Sequence, residues 1–92
     1  CARYGGEEFI IILPQTDIAG ATALAERLRK RIAETCISFN QKTISVTISL
    51  GAICCDMSRI DCNTQRLIKT VDEALYTSKR AGRNRTTSVS LP

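Results

Sequence analysis

The stretch RYGGEEF (residues 3–9) places two glycines directly before two carboxylates and a run of apolar residues. Paired glycines accept the positive φ of tight turns, so the stretch predicts a β-hairpin over residues 1–13 that turns at Gly5-Gly6. Glu7 and Glu8 repel each other, but at the turn both side chains can reach one site. Mg²⁺ prefers carboxylate and phosphate oxygens, and glycines let a phosphate or a flat base approach the backbone. From these residues alone, a plain hairpin with solvated glutamates is the alternative.

Two further segments have the periodicity of amphipathic helices. The first predicts a helix over residues 17–35, with Thr16 or Asp17 as its N-cap. The second predicts a helix over residues 64–81, with Gly82 where a glycine commonly ends a helix. The apolar positions are Ile18, Ala21, Ala25, Leu28 and Ile32 in the first segment and Leu67, Ile68, Val71 and Leu75 in the second.

Alternating apolar residues between the helices predict a strand over residues 43–54 that is buried on one face. Gly51 interrupts it, which indicates a bulge or a close contact. Residues 86–91 predict a short final strand. The order hairpin, helix, strand, helix, strand predicts the α+β class, as a two-layer sandwich of a mainly antiparallel sheet with both helices on one side. This arrangement is similar to part of a ferredoxin-like unit whose first strand pair is absent from the sequence.

Composition fits one globular unit with a modest core, because the chain has 92 residues of which 43% are hydrophobic. The longest uninterrupted apolar run, residues 9–13, is too short to cross a bilayer. The five cysteines are odd in number, and no histidine accompanies them to complete a zinc site. We therefore expect reduced cysteines in a cytoplasmic protein.

The net charge of +4 includes a local basic cluster, which consists of Lys79, Arg80, Arg83 and Arg85. Basic side chains near a helix C-terminus complement the helix dipole, so the cluster has a simple structural explanation. The alternative is a patch that binds phosphate groups of a nucleotide or a nucleic acid.

Four blocks of the sequence resemble the GGDEF domain, the diguanylate cyclase family. RYGGEEF looks like the family signature, whose third position is Asp or Glu. Within the closing helix, Ser78 occupies a position where the family pattern has Ala. The other three blocks are LAERLR (24–29), similar to the helix after the signature, VTISLGA (46–52), similar to a family strand, and DEALY with KRAGRN (72–76 and 79–84), similar to the closing helix.

The resemblance implies that two GTP molecules, each held by one subunit of a homodimer, form cyclic di-GMP and pyrophosphate with Mg²⁺ or Mn²⁺. By this resemblance Glu7 is a metal ligand, and Glu8 is a second ligand or the base near the ribose 3′-hydroxyl. Gly5 and Gly6 line the nucleotide pocket.

The same resemblance gives roles to three basic residues. Lys79 and Arg83 match a pair that grips the terminal phosphates, and their spacing of four predicts that they share one helix face. Arg27 matches a helix arginine that, in some members, contacts the inhibitory product.

The family's domain starts upstream of the position that Cys1 matches, so we interpret residues 1–92 as the C-terminal portion of one GGDEF domain. In the family, the part upstream of this position carries a further metal ligand and the residues that recognise guanine. We therefore expect this chain alone to be inactive and poorly stable as a monomer. The parent protein is expected to carry an upstream sensory domain, in the cytoplasm with or without a membrane tether.

Two other functions compete with a cyclase. A GGDEF-type module can bind GTP or cyclic di-GMP as a receptor without catalysis, although the intact signature favours the enzyme. A nucleic-acid-binding module would use the basic C-terminal helix, but the sequence offers no aromatic platform for stacking bases. We therefore expect no nucleic acid partner.

Overall fold

The computed structural model describes residues 1–55 and 63–90, and within them it contains two helices and six strands. The strands form three two-stranded sheets, of which β1–β2 and β3–β4 are antiparallel and β5–β6 is parallel. The predicted α+β class is confirmed. In chain order the elements are β1 (Ala2–Gly5), β2 (Glu8–Ile10), α1 (Ile18–Ala33), β3 (Cys36–Phe39), β4 (Lys42–Ser45), β5 (Leu50–Cys54), α2 (Thr64–Arg80) and β6 (Thr86–Ser90).

Both helices begin at a side-chain cap. The Asp17 carboxylate accepts a hydrogen bond from the Gly20 N–H at 2.8 Å, as one of the two predicted caps of α1. The Asn63 side chain accepts from the Arg66 N–H at 2.9 Å and caps α2. Each cap satisfies a donor that the first helical turn leaves unpaired. The predicted helices are therefore present, and each is slightly shorter than expected.

The single strand expected over residues 43–54 is in fact two strands. β4 pairs with β3 in a hairpin, and β5 begins only at Leu50. The turn of this hairpin is formed by Asn40 and Gln41, which have φ values of 50° and 64°. Period-two alternation is the same in both strands, so it could not reveal the break between them. The turn contains no glycine, which is the residue that most often marks a hairpin turn in a sequence.

The β5–β6 sheet lies between the two helices. On the α1 side, the Thr22 hydroxyl lies 2.8 Å from that of Ser88. On the α2 side, the Ser78 hydroxyl lies 2.7 Å from that of Thr87. Successive side chains of a strand point to opposite faces, so Thr87 and Ser88 mark two different faces of β6. The expectation that both helices cover one side is thus wrong, and this unit has the order helix, sheet, helix.

Small residues let α2 pack closely on this sheet. Ala74 is 2% exposed, and Ser78 is completely buried. A Cβ atom at Gly51 would lie 2.5 Å from the Leu75 nitrogen and 2.7 Å from the Val71 carbonyl oxygen. Of the two explanations for Gly51, a close contact is therefore the correct one.

The two antiparallel hairpins expose large apolar side chains. Phe9 of β2 is 65% exposed, and Phe39 of β3 is 64% exposed. The thiols of Cys1, Cys36 and Cys54 are free, whereas Cys55 is disulfide-bonded. The expectation of reduced cysteines is therefore wrong for Cys55. Neither helix in residues 1–55 and 63–90 combines the length and apolarity needed to cross a membrane.

Candidate functional site

A shallow cleft of about 160 Å³ lies where the β1–β2 hairpin meets α2. Lys79 of α2 donates a hydrogen bond to the Glu8 carboxylate, with 3.2 Å between Nζ and Oε2. The side chain of Lys79 is 30% exposed and that of Glu8 is 36% exposed, so solvent reaches this ion pair. The cleft therefore brings a carboxylate of the RYGGEEF stretch together with a cation 71 positions further along the chain. Its lining residues are Glu8, Asp72, Leu75, Tyr76 and Lys79.

The β1–β2 turn presents open backbone next to this cleft. Gly6 has a φ of 51°, which disfavours any residue with a side chain. The Arg3 guanidinium donates to the Gly6 carbonyl from Nε at 2.8 Å and from Nη2 at 2.6 Å, which holds the turn. A Cβ atom at either Gly5 or Gly6 would have no heavy atom within 4 Å. The space beside both glycines is therefore free for an approaching group.

The carboxylates at this turn match part of a metal-ion donor set. Glu7 lies exposed in the turn, and Glu8 is the first residue of β2. Carboxylate oxygens suit Mg²⁺ or Mn²⁺, which often bind through one or two carboxylates plus substrate phosphates and water. Among residues 1–55 and 63–90, no group of three or more Asp, Glu, Cys or His side chains is placed to hold a metal ion. Glu7 and Glu8 are thus carboxylates of the chemical type that such a cation binds, and their role as metal ligands stays a prediction.

Arg83 lies in the turn between α2 and β6 and not on α2. The helix ends at Arg80, and the Arg83 N–H donates to the Ser78 carbonyl at 3.0 Å in the manner of a Schellman motif. Gly82 has a φ of 122°, as expected for the glycine that ends a helix. The prediction that Lys79 and Arg83 share a helix face is therefore wrong, because the helix stops between them.

Arg27 lies away from the cleft. It is exposed on α1, on the opposite side of the β5–β6 sheet from α2. There it lines a second shallow groove of about 370 Å³, together with Leu24, Leu28, Lys30, Arg31 and Glu34. The structure therefore does not bring Arg27 together with Glu8 and Lys79.

Three residues of the cleft were not singled out as site residues from the sequence. Asp72, Leu75 and Tyr76 precede Lys79 by seven, four and three positions, a spacing that aligns them on one helix face. This spacing was a signal in the sequence that could have identified them. Arg80, another member of the basic cluster, has its guanidinium carbon 5.7 Å from the centroid of the Tyr76 ring.

The chain is similar to known proteins over most of its length. Residues 1–85 match the family model described as "Diguanylate cyclase, GGDEF domain". The chain is 45% identical over 87 residues to Diguanylate cyclase A of Treponema denticola, with 94% of this chain and 23% of that protein covered. It is 42% identical over 84 residues to Diguanylate cyclase DosC of Escherichia coli, with 90% of this chain and 18% of that protein covered. It is 37% identical over 84 residues to Response regulator PleD of Caulobacter vibrioides, with 89% of this chain and 18% of that protein covered.

The chain therefore belongs to the GGDEF family of diguanylate cyclase domains. It spans less than a quarter of the length of each of these relatives.

Proposed function

We propose that the protein carrying this chain is a diguanylate cyclase, which condenses two GTP molecules into cyclic di-GMP. In each of two steps, a ribose 3′-hydroxyl attacks the α-phosphate of the other nucleotide, and pyrophosphate leaves. The observation that carries the proposal is the meeting of Glu8 and Lys79 at 3.2 Å, beside the open backbone of the turn. This contact brings the signature turn and the Lys79 ammonium group, which is of a type that binds phosphate, into one cleft. Family membership supports the same chemistry.

Glu7 and Glu8 would hold Mg²⁺ or Mn²⁺, which when bound would activate the attacking hydroxyl and neutralise charge on the leaving oxygens. Glu8 has a second possible role as the base that accepts the hydroxyl proton, because it is the carboxylate that lines the cleft. Gly5 and Gly6 would let the nucleotide lie against the backbone. A side chain at either position would fill the space that the turn leaves open.

Lys79 would exchange its carboxylate partner for nucleotide phosphate. An ion pair as exposed as Lys79–Glu8 contributes only about 0–1 kcal/mol, so a bound triphosphate competes with it easily. The exchange would also release Glu8 for the cation. Arg83, in the adjoining turn, would supply a second positive charge to the terminal phosphates.

The remaining roles concern assembly and control. Each subunit of a homodimer would hold one GTP, so the two 3′-hydroxyls and the two α-phosphates would meet between the subunits. Arg27 would bind cyclic di-GMP as an inhibitory product, since it lies in a groove remote from the cleft with Lys30 and Arg31 nearby. An upstream sensory domain would control this assembly in the cytoplasm.

The test is product formation by the purified protein that carries this chain. We expect cyclic di-GMP, identified by mass spectrometry, after incubation with GTP and Mg²⁺. Glu8→Gln should reduce the rate at least about 100-fold, as expected when a charged group that acts in the transition state is lost. Glu73→Gln is the matched control, because Glu73 is an exposed carboxylate of α2 that lines neither the cleft nor the groove around Arg27.

The possible results separate the enzyme from its alternative. Binding of GTP or cyclic di-GMP without turnover would refute the cyclase and support a receptor. Turnover that survives Glu8→Gln unchanged would refute the role given to the cleft.

A further inference from the structure

The turn between α2 and β6 has an unusual backbone. Gly82, Arg83 and Asn84 have consecutive φ values of 122°, 63° and 46°. Residues with a side chain pay roughly 1–2 kcal/mol for the left-handed region, and asparagine tolerates it better than most. Such conformations persist where surrounding contacts hold them. The contacts around Asn84 therefore show what keeps this turn in place.

Arg29 of α1 reaches across 55 positions of sequence to Asn84. Its Nη1 donates to the Asn84 side-chain oxygen at 3.1 Å and to the Asn84 carbonyl at 3.4 Å. The other nitrogens of the same guanidinium, Nε and Nη2, donate to the two carboxylate oxygens of Glu26. Because the guanidinium is planar, this fork to Glu26 fixes the direction in which Nη1 points.

Glu26 is itself held by β6. The Thr86 hydroxyl donates to Glu26 Oε2 at 3.0 Å. The hydrogen bond from Arg29, followed by that from Thr86, lowers the pKa of Glu26, so the carboxylate is charged at neutral pH. The network thus ties α1 to both the turn and the first residue of β6.

The same turn fixes the backbone of Arg83 and leaves its side chain free. The Arg83 carbonyl accepts from Arg85 Nε at 3.2 Å, and the Asn84 N–H donates to the Ser49 hydroxyl at 3.2 Å. Within residues 1–55 and 63–90, the Arg83 guanidinium makes no hydrogen bond or ion pair. A positioned backbone with an uncommitted cationic side chain is the arrangement that a phosphate-binding arginine needs.

We infer that Arg29 is a positioning residue, which with Glu26 holds Asn84 in its left-handed conformation and thereby directs Arg83 toward the nucleotide phosphates. The inference rests on the proposed function, since it presumes that Arg83 binds the substrate. It adds a role for α1, whose contact with the site runs through Asn84.

The test is a double-mutant cycle on GTP turnover by the protein that carries this chain. We expect Arg83→Ala and Arg29→Ala each to raise KM for GTP about tenfold while kcat changes less. The double variant should be no worse than Arg83→Ala alone, because Arg29 acts through Arg83. Lys69→Ala is the matched control, because Lys69 is an exposed cation of α2 that lines neither the cleft nor the groove around Arg27, and its KM should equal that of the unmodified protein. Asn84→Ala removes the side-chain acceptor without touching α1 and should raise KM by a smaller factor.

Each outcome decides a different point. Losses that multiply in the double variant, or an Arg29→Ala protein with unchanged KM, would overturn the inference and leave the cyclase intact. An unchanged KM for Arg83→Ala would overturn the inference together with the phosphate role of Arg83. If Arg29→Ala does not fold, Asn84→Ala decides in its place, and an unchanged KM there overturns the inference. An unmodified protein that neither binds nor turns over GTP would overturn the proposed function and, with it, this inference.

Discussion

Replacing Gly51 by alanine should separate α2 from the β5–β6 sheet. The added Cβ would lie 2.5 Å from the Leu75 nitrogen and 2.7 Å from the Val71 carbonyl oxygen, and both are backbone atoms. Backbone atoms within a helix cannot move aside singly, as the end of a flexible side chain can. The whole helix must therefore shift by about 1 Å to restore an ordinary contact distance of roughly 3.5 Å.

The free-energy cost follows from what that shift breaks. Overpacking a filled interior costs about 1–3 kcal/mol. The Ser78 hydroxyl donates to the Leu50 carbonyl at 2.7 Å and lies 2.7 Å from the Thr87 hydroxyl, and both contacts would lengthen beyond hydrogen-bonding distance. Each lost hydrogen bond adds about 1 kcal/mol. We therefore expect Gly51→Ala to lower the free energy of opening α2 by about 3–5 kcal/mol.

Hydrogen–deuterium exchange of the α2 amides measures this quantity within the protein that carries the chain. A loss of about 3–5 kcal/mol corresponds to exchange that is at least about 100-fold faster. Gly20→Ala is the control, because the atoms that its Cβ would meet, on Thr16 and Asp17, belong to side chains. Equal protection of α2 in the two variants would refute the reasoning, since it would mean that α2 does not depend on the missing Cβ at Gly51.

Three further predictions test single contacts. Ser78→Ala should lower the free energy of unfolding in urea by about 1–2 kcal/mol. Adding Thr87→Val should recover part of this loss, because neither hydroxyl of the pair is then left without its partner. A larger loss in the double variant would contradict the pairing. Lys79→Met should leave stability within about 1 kcal/mol but raise KM for GTP at least about tenfold, and an unchanged KM would exclude a phosphate role. Because the pKa of Glu26 is lowered from 4.5, its stabilising effect is complete above 4.5 and is lost as pH falls through the lower folded value. Glu26→Gln should therefore lose less stability than the unmodified protein as pH falls below 4.5, and identical pH profiles would contradict this.

The sequence predicted the helices well because their signals are local. Asp17 and Gly82 mark ends of α1 and α2 through caps that need only a few neighbouring residues. The β3–β4 hairpin was missed because Asn40 and Gln41 adopt positive φ without the glycine that usually announces such a turn. The sequence also did not predict that α1 and α2 pack on opposite faces of the β5–β6 sheet. That choice depends on β5 and β6 pairing in parallel, with a connection through α2, and local periodicity does not report strand pairing.

The candidate site shows the same division. The pairing of Glu8 with Lys79 agrees with the sequence-based assignment of both residues to one site. Arg83 was misplaced because a spacing of four was extended through Gly82, where the helix has already ended. Arg29 was overlooked because its partner Asn84 is 55 positions away and only the folded chain brings them together.

The two groups of basic residues around the site are held in different ways, and this bears on how the site works. Arg83 lies in a turn that hydrogen bonds to Arg29, Ser49 and Ser78 hold, so the position of its backbone is set before any ligand arrives. Lys79 is instead paired with Glu8 through a solvent-exposed bond that contributes little energy. A nucleotide would therefore meet one cation already placed and displace a second from its carboxylate. Because that carboxylate belongs to the RYGGEEF stretch, the proposed binding of phosphate by Lys79 would be coupled to the release of Glu8 for a metal ion through this one contact.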